Sequence, residues 1–186
     1  NVFRTADSGA ILFLEGDNHF FPVIYGRIVE RMREDVTLYD RLNIVFKTPY
    51  VGKEKGLFYG TWESLRSLFE KEIITQRKER AILYAVFDPF ALLVPEQTIL
   101  VPYGLLHRVM EREGPGAVYK LPGLWNYYSS ESFYEKFEKD FMTRQVSAYF
   151  FLRYGMYLYH TGNPQSGLSY IREASRLGYD DAGIQC

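Results

Sequence analysis

Gly16, Asp17, Asn18 and His19 are the residues of this 186-residue chain whose types and spacing could do chemistry. They follow the apolar run AILFLE at residues 10–15 and precede a stretch with apolar positions at Phe21, Ile24, Tyr25, Ile28, Val29 and Met32. The run reads as a buried strand. The spacings of three and four read as an amphipathic helix, so the four residues fall between the carboxyl end of one and the amino end of the other. Open parallel sheets bind ligands at that place. The first N–H groups of the helix suit an anion, while Asp17 can accept from sugar hydroxyls and Asn18 can both accept and donate. The same residue types also have a purely structural use: Asp17 or Asn18 caps the helix, and Pro22 fits its first turn. Asp88, with Pro89 after the third strand, is either a second contributor to this edge or a turn former.

Other chemistries find little support. Asp17 and His19 offer a metal only two ligands, and His107 and His160 stand far off in sequence with no ligand spacing around them, so no metal site is expected. Cys186 is the single cysteine, which excludes an internal disulfide and a multi-cysteine centre. A nucleophile elbow, a glycine-rich phosphate loop and a Cys/His pair are all missing, so we expect no catalytic residue and no cofactor. A formal net charge of −1 leaves no basic footprint for a phosphate backbone, which argues against nucleic acid as a partner. The basic cluster Arg77, Lys78 and Arg80 reads as a helix end. The 16 Tyr and 14 Phe supply large core areas and flat faces on which sugars can stack. With 47% apolar and 24% charged residues, the chain has the composition of an ordinary folded domain.

The elements that must position these residues follow from the pattern. After the first strand and helix, residues 36–39 resume a strand, making a β-α-β unit with a right-handed crossover. Residues 43–60 read as loop, with a short extended piece at 44–47. Thr61 caps a helix from Trp62 to about Arg80, with Trp62, Leu65, Phe69 and Ile73 on one face. Residues 81–86 form the next strand, and residues 99–103 a short strand that Pro102 places at an edge. Residues 105–113 are expected to make two or three turns of helix before Gly114. From Ser132 a helical stretch carries Phe133, Phe137 and Phe141, with Asp140 able to pair with Arg144. Two further amphipathic helices are parted by Gly162, Asn163 and Pro164, the order of a helix stop, a break and a helix start.

This last segment resembles a tetratricopeptide repeat, a pattern of roughly 34 residues. With Ala148 as its first position, Phe151 takes the early aromatic place, Tyr154 and Gly155 the helix contact pair, Gly162 the turn and Ala174 the small residue of the second helix. Leu158, Gly167 and Tyr179 stand where Tyr, Ala and Pro are usual. The resemblance implies protein contact through Phe151, Tyr154 and Tyr170; a single repeat also has the plainer role of a helix pair packed on its own domain.

The stretch ILFLEGDNHFFPVIYGRIVERMREDVTLYD resembles a second family, of polytopic membrane proteins similar to C-type glycosyltransferases. Their Gly-Asp-Asn-Asp-Thr-Phe-Pro segment is matched at Gly16, Asp17, Asn18, Phe21 and Pro22, and the strand start that follows it at Arg33, Asp35 and Val36. His19 and Phe20 replace the family's Asp and Thr. Tyr103, Gly104, Leu105, Leu106 and Arg108 resemble a short Glu-Gly-Leu-x-Tyr-Arg element, and Asp140 with Arg144 precedes the helical tail much as in that family. The resemblance implies an extracytoplasmic region that follows a membrane-spanning part, with the catalytic acid in a loop of that absent part. Asn1 stands in place of Met, so a membrane segment is expected upstream; residues 1–186 hold no run of the roughly 20 apolar residues a span needs.

The expectation is therefore an α/β domain over residues 1–125, with a mostly parallel sheet of about four strands and flanking helices. A helical tail over residues 126–186 carries one tetratricopeptide-like hairpin at about 148–181. The function expected is that of a noncatalytic, membrane-tethered, extracytoplasmic accessory domain. Its partners would be a glycan, an acceptor protein or the membrane-spanning part of the same polypeptide. The alternatives are a small soluble enzyme using Asp17, Asn18 and His19, and a protein-interaction scaffold.

Overall fold

A computed structural model describes residues 2–45, 62–86, 92–112, 125, 141–178 and 184. The chain divides into two compact units, one of residues 2–101 with 106–113 and one of residues 1, 102–105 and 114–186.

The first unit is built on a five-stranded sheet in the order β2-β1-β3-β5-β4. Strand β1 (Ile11–Leu14) is flanked by β2 (Thr37–Asp40) and β3 (Ile82–Ala85), both parallel to it, with Ile11 opposite Thr37 and Ile82. All four residues of β1 and of β3 are buried, as strands covered on both faces require. Helix α2 (Asp17–Ile28) links β1 to β2, and α3 (Trp62–Gln76) precedes β3. Side chains alternate between faces, and Ile11, Phe13, Ile82 and Tyr84 pack with Ile73 and Ile74 of α3. The crossover from β1 to β2 and the one from β2 back past β1 to β3 run in opposite directions along the sheet, which for right-handed connections puts α2 and α3 on opposite faces.

The expected β-α-β unit and α/β class are present, but the sheet is mixed rather than mostly parallel, and it has five strands rather than about four. The difference lies in residues 105–113, expected as helix. They form β5 (Leu106–Glu111), which pairs antiparallel with β3, while β4 (Thr98–Tyr103) takes the edge where Pro102 is tolerated. Apolar residues at 105, 106, 109 and 110 fit a helix face and a half-buried strand equally well. Gly104, at φ 62°, decides the matter: it lets two residues reverse the chain, so β5 returns beside β4.

Helix α2 differs in three ways from its expected form. Neither Asp17 nor Asn18 caps it; the cap position belongs to Gly16, whose φ of 83° turns the chain directly from strand to helix. Asp17 thus becomes the first helical residue, where its charge still favours the helix dipole. Pro22 is the sixth helical residue, not part of the first turn, and lacks the N–H that would reach the Asn18 carbonyl. The buried face is Phe20, Val23, Ile24 and Gly26, so most of the expected apolar stripe, Phe21, Tyr25, Ile28, Val29 and Met32, is 43–60% exposed. Gly26 is buried against the Phe3 ring of α1 (Val2–Thr5), which would stand 3.1 Å from a Cβ placed there.

Two arginines fix the turn between α2 and β2. Arg27 donates to the carbonyls of Arg33 and Val36. Arg33, held at φ 52°, donates to the carbonyls of Ala6 and Asp7 at 2.8 Å and, through Nε and Nη2, to the Asp35 carboxylate at 2.9 Å. Asp35 also accepts from the Gly9 N–H at 2.9 Å. The Arg33 guanidinium, and after it that N–H, hold the Asp35 carboxyl well below the usual carboxylate range. A carboxyl lowered in the folded state stabilises the fold at every pH above its unfolded value, and that contribution is lost as pH falls through the folded value. Asp35→Asn is therefore expected to melt below the parent at neutral pH, with the gap narrowing steadily in acid; melting curves from neutral to strongly acid pH check this.

In the second unit, α4 (Phe141–His160) and α5 (Pro164–Leu177) form the expected hairpin. Gly162, at φ 101°, closes α4; Asn163 accepts from the Ser166 N–H at 3.4 Å as N-cap, and Pro164 opens α5. The helical residues expected from 132 to 140, the Asp140–Arg144 pair and the Thr61 cap lie outside the described residues.

Candidate functional site

The strand that follows β1 lies on one side of the β1–β3 pair and the strand that follows β3 on the other, so the carboxyl ends of these two strands define the switch point at which an open α/β sheet leaves a crevice. Four of the residues singled out by sequence stand there. Gly16 makes the strand-to-helix turn, Asp17 is exposed at the start of α2, and Asn18 and His19 are half-buried beside it. The N–H groups of His19 and Phe20 both bond the Gly16 carbonyl, at 3.1 and 2.9 Å, which sets the direction of the helix's first turn. Asp88 lies outside the described residues.

The ionisable groups at this edge that sequence reading missed are Glu15, Asp40, Arg41, Glu70 and Tyr84. The backbone brings them together: the Glu15 N–H bonds the Ala85 carbonyl at 3.1 Å and the Arg41 N–H bonds the Leu14 carbonyl at 3.0 Å, extending the ladder by one residue on each side. The Arg41 side chain, only 5% exposed, then turns onto the α3 face. Its Nε donates to Glu70 Oε1 at 2.7 Å and its Nη1 to Glu15, while the guanidinium lies 5.6 Å over the Tyr84 ring. Glu70, 2% exposed, also accepts from the Tyr84 hydroxyl at 3.1 Å. Buried charges are tolerable when paired and hydrogen-bonded in this way.

Asp40 is equally engaged. Its carboxylate accepts from the N–H groups of Leu42 at 3.0 Å, Ile44 at 2.6 Å and Val45 at 2.8 Å, tying down the backbone that leaves β2. The signal for this network was present in the sequence: Glu70 lies one turn before Ile73 and Ile74 on the buried face of α3, where a carboxylate needs a cation.

The candidate contact residues of the tail are found inside it. Phe151 is fully buried with its ring stacked 5.8 Å from Tyr170, so it offers a partner no surface. Tyr154 and Tyr170, both half-buried, meet at 4.9 Å, and Tyr154 also packs against Trp125 at 5.1 Å. Burial, with lesser contributions from Tyr170 and Tyr157, raises the Tyr154 phenol above its ordinary range, so it stays neutral. Tyr159 of α4 and Leu168 of α5 are 47% and 42% exposed and line a shallow groove of the hairpin with Met156, His160 and Ile171.

Among the described residues no group of three or more His, Cys, Asp or Glu side chains could hold a metal, and no helix is long and apolar enough to cross a membrane. Comparison with known proteins returns no match, whether against family models, curated proteins or solved structures.

Proposed function

We propose that this chain is a noncatalytic accessory domain of a glycosyltransferase-like membrane protein. It lies on the extracytoplasmic side and binds a glycan or a protein at the carboxyl edge of its sheet. The observation that carries this reading is the engagement of the acids at that edge. Glu15 and Glu70 are bound to Arg41, Glu70 also to Tyr84, and Asp40 to three backbone N–H groups. Acids so held shape a rigid rim, their oxygens engaged by partners within the fold. The Gly16, Asp17 and Asn18 segment that carries the family resemblance forms the turn on this rim, with Asp17 exposed, where hydroxyl-bearing ligands find both acceptors and donors. The apolar stripe of α2 beside it supplies contact area of the kind that protein partners cover.

A specific observation keeps an enzyme as the second reading: Asp17 and His19 stand at the switch point, where α/β enzymes place their chemistry. The two separate by experiment. Titrating the chain with neutral oligosaccharides is expected to shift the backbone amide signals of residues 16–19, with no turnover of glycoside or ester substrates above solvent background. Turnover that disappears in Asp17→Asn would establish the enzyme instead.

A further inference from the structure

Helix α2 buries one face and turns another outward, and the outward face of a surface helix is normally polar. Here every exposed residue after Asp17, through the C-cap, is apolar: Phe21, Pro22, Tyr25, Ile28 and Val29. Phe21, Tyr25 and Ile28 recur at spacings of four and three, which lines them along one side of the helix. These three and Val29 are 53–60% exposed. At about 200 Å² for a whole aromatic side chain and somewhat less for Ile and Val, that exposure amounts to roughly 400 Å² of apolar surface in one stripe.

Opposite charges stand at the two ends of the stripe. Asp17, exposed, opens the helix. Arg31, exposed and at φ 52°, stands in the turn that closes it, where the Met32 N–H bonds back to the Gly26 carbonyl at 2.9 Å. Neither side chain has a hydrogen bond or an ion pair among the described residues. The midpoint of Asp17 and Arg31 and that of Phe21 and Ile28 fall within one residue of each other, beside Tyr25. A two-fold axis at that point sets two α2 helices antiparallel, with Phe21 against Ile28 of the second copy, Tyr25 against Tyr25, and each Asp17 within a turn of the other copy's Arg31. The face is complementary to itself in apolar pattern and in charge, a match that neither a lipid surface nor an unrelated groove requires. Two such stripes bury roughly 800 Å² and their polar rims bring the total to about 1,000 Å², the size at which specific but weak association begins.

We propose that the chain forms a two-fold dimer through the outward face of α2, with Asp17 and Arg31 setting the antiparallel register. The dimer goes beyond the reading of the carboxyl edge and stands whether or not that edge binds a ligand. Its test is sedimentation equilibrium of the chain at low salt, where a monomer–dimer equilibrium with a dissociation constant of roughly 10–100 µM is expected. Tyr25→Glu, at an exposed position, sets two carboxylates together on the axis; the variant keeps the parent's circular dichroism and stays monomeric. Asp17→Arg puts like charges at both ends and weakens the dimer about tenfold, since each exposed pair occurs twice. Adding Arg31→Asp, a residue type that tolerates left-handed backbone, restores affinity to within about threefold of the parent. A parent that stays monomeric, a dimer that survives Tyr25→Glu, or a double swap no tighter than Asp17→Arg alone overturns the proposal. So does a monomer that binds phosphatidylcholine vesicles through Tyr25, which would make this face a membrane surface instead.

Discussion

Glu70→Ala is expected to destabilise the first unit by about 3 kcal/mol, the lower end of what breaking a buried ion pair costs. The carboxylate accepts from Arg41 and from the Tyr84 hydroxyl with both residues out of water, so its removal leaves a buried guanidinium and a buried phenol with unmet donors. Glu15, one-third exposed, remains beside Arg41 and keeps the loss from reaching the upper end of that range. Glu70→Gln keeps the shape and an acceptor while removing the charge, so it should fall between the parent and the alanine variant. Denaturant unfolding of the three proteins measures the series. A loss under about 1 kcal/mol for the alanine variant would show that Arg41 simply turns to solvent.

The second large effect falls on the tail. Gly155 and Gly167 bring α4 and α5 into backbone contact: a Cβ on Gly167 would stand 2.6 Å from the Gly155 carbonyl oxygen and 2.7 Å from the Tyr159 nitrogen. Those are main-chain atoms, so relief requires the helices to part. Helix propensity alone would make Gly167→Ala stabilising by about 1 kcal/mol. The clash reverses that sign, and a net loss of about 2 kcal/mol is expected, within the range for overpacked sites. A thermal melt reporting the tail's helical signal decides between the two: a raised midpoint would mean that the helices do not approach this closely.

Where the sequence was informative, a single physical constraint dominated. Residues 11–14 and 82–85 read as strands because both faces are buried, and the Gly162, Asn163, Pro164 sequence marks the hairpin because each residue answers one need of a helix end. Where two constraints competed, the pattern misled. Residues 105–113 fit both periods, and only the φ of Gly104 separates them. Helix α2 has apolar residues nearly all round, at 20, 21, 23, 24, 25, 28 and 29, so its buried face is chosen by the sheet and by Phe3 against Gly26 rather than by spacing. At the carboxyl edge, residues 16–18 were visible because they are local. The Arg41, Glu15, Glu70 and Tyr84 network was not, since its members are joined by strand register and by a helix crossing 29 residues away in sequence.

The central claim, a membrane-tethered accessory domain facing outward, is tested most directly on the full-length protein in its own cells. Leu168, an exposed residue of the hairpin, is replaced by cysteine in a background where Cys186 and any cysteine elsewhere are serine, and intact cells are treated with a membrane-impermeant maleimide. The account predicts labelling without permeabilisation and a labelled protein that stays with the membranes through an alkaline carbonate wash. Labelling only after permeabilisation, or release into the wash, would contradict it and turn attention to Asp17 and His19 as the working end of an enzyme.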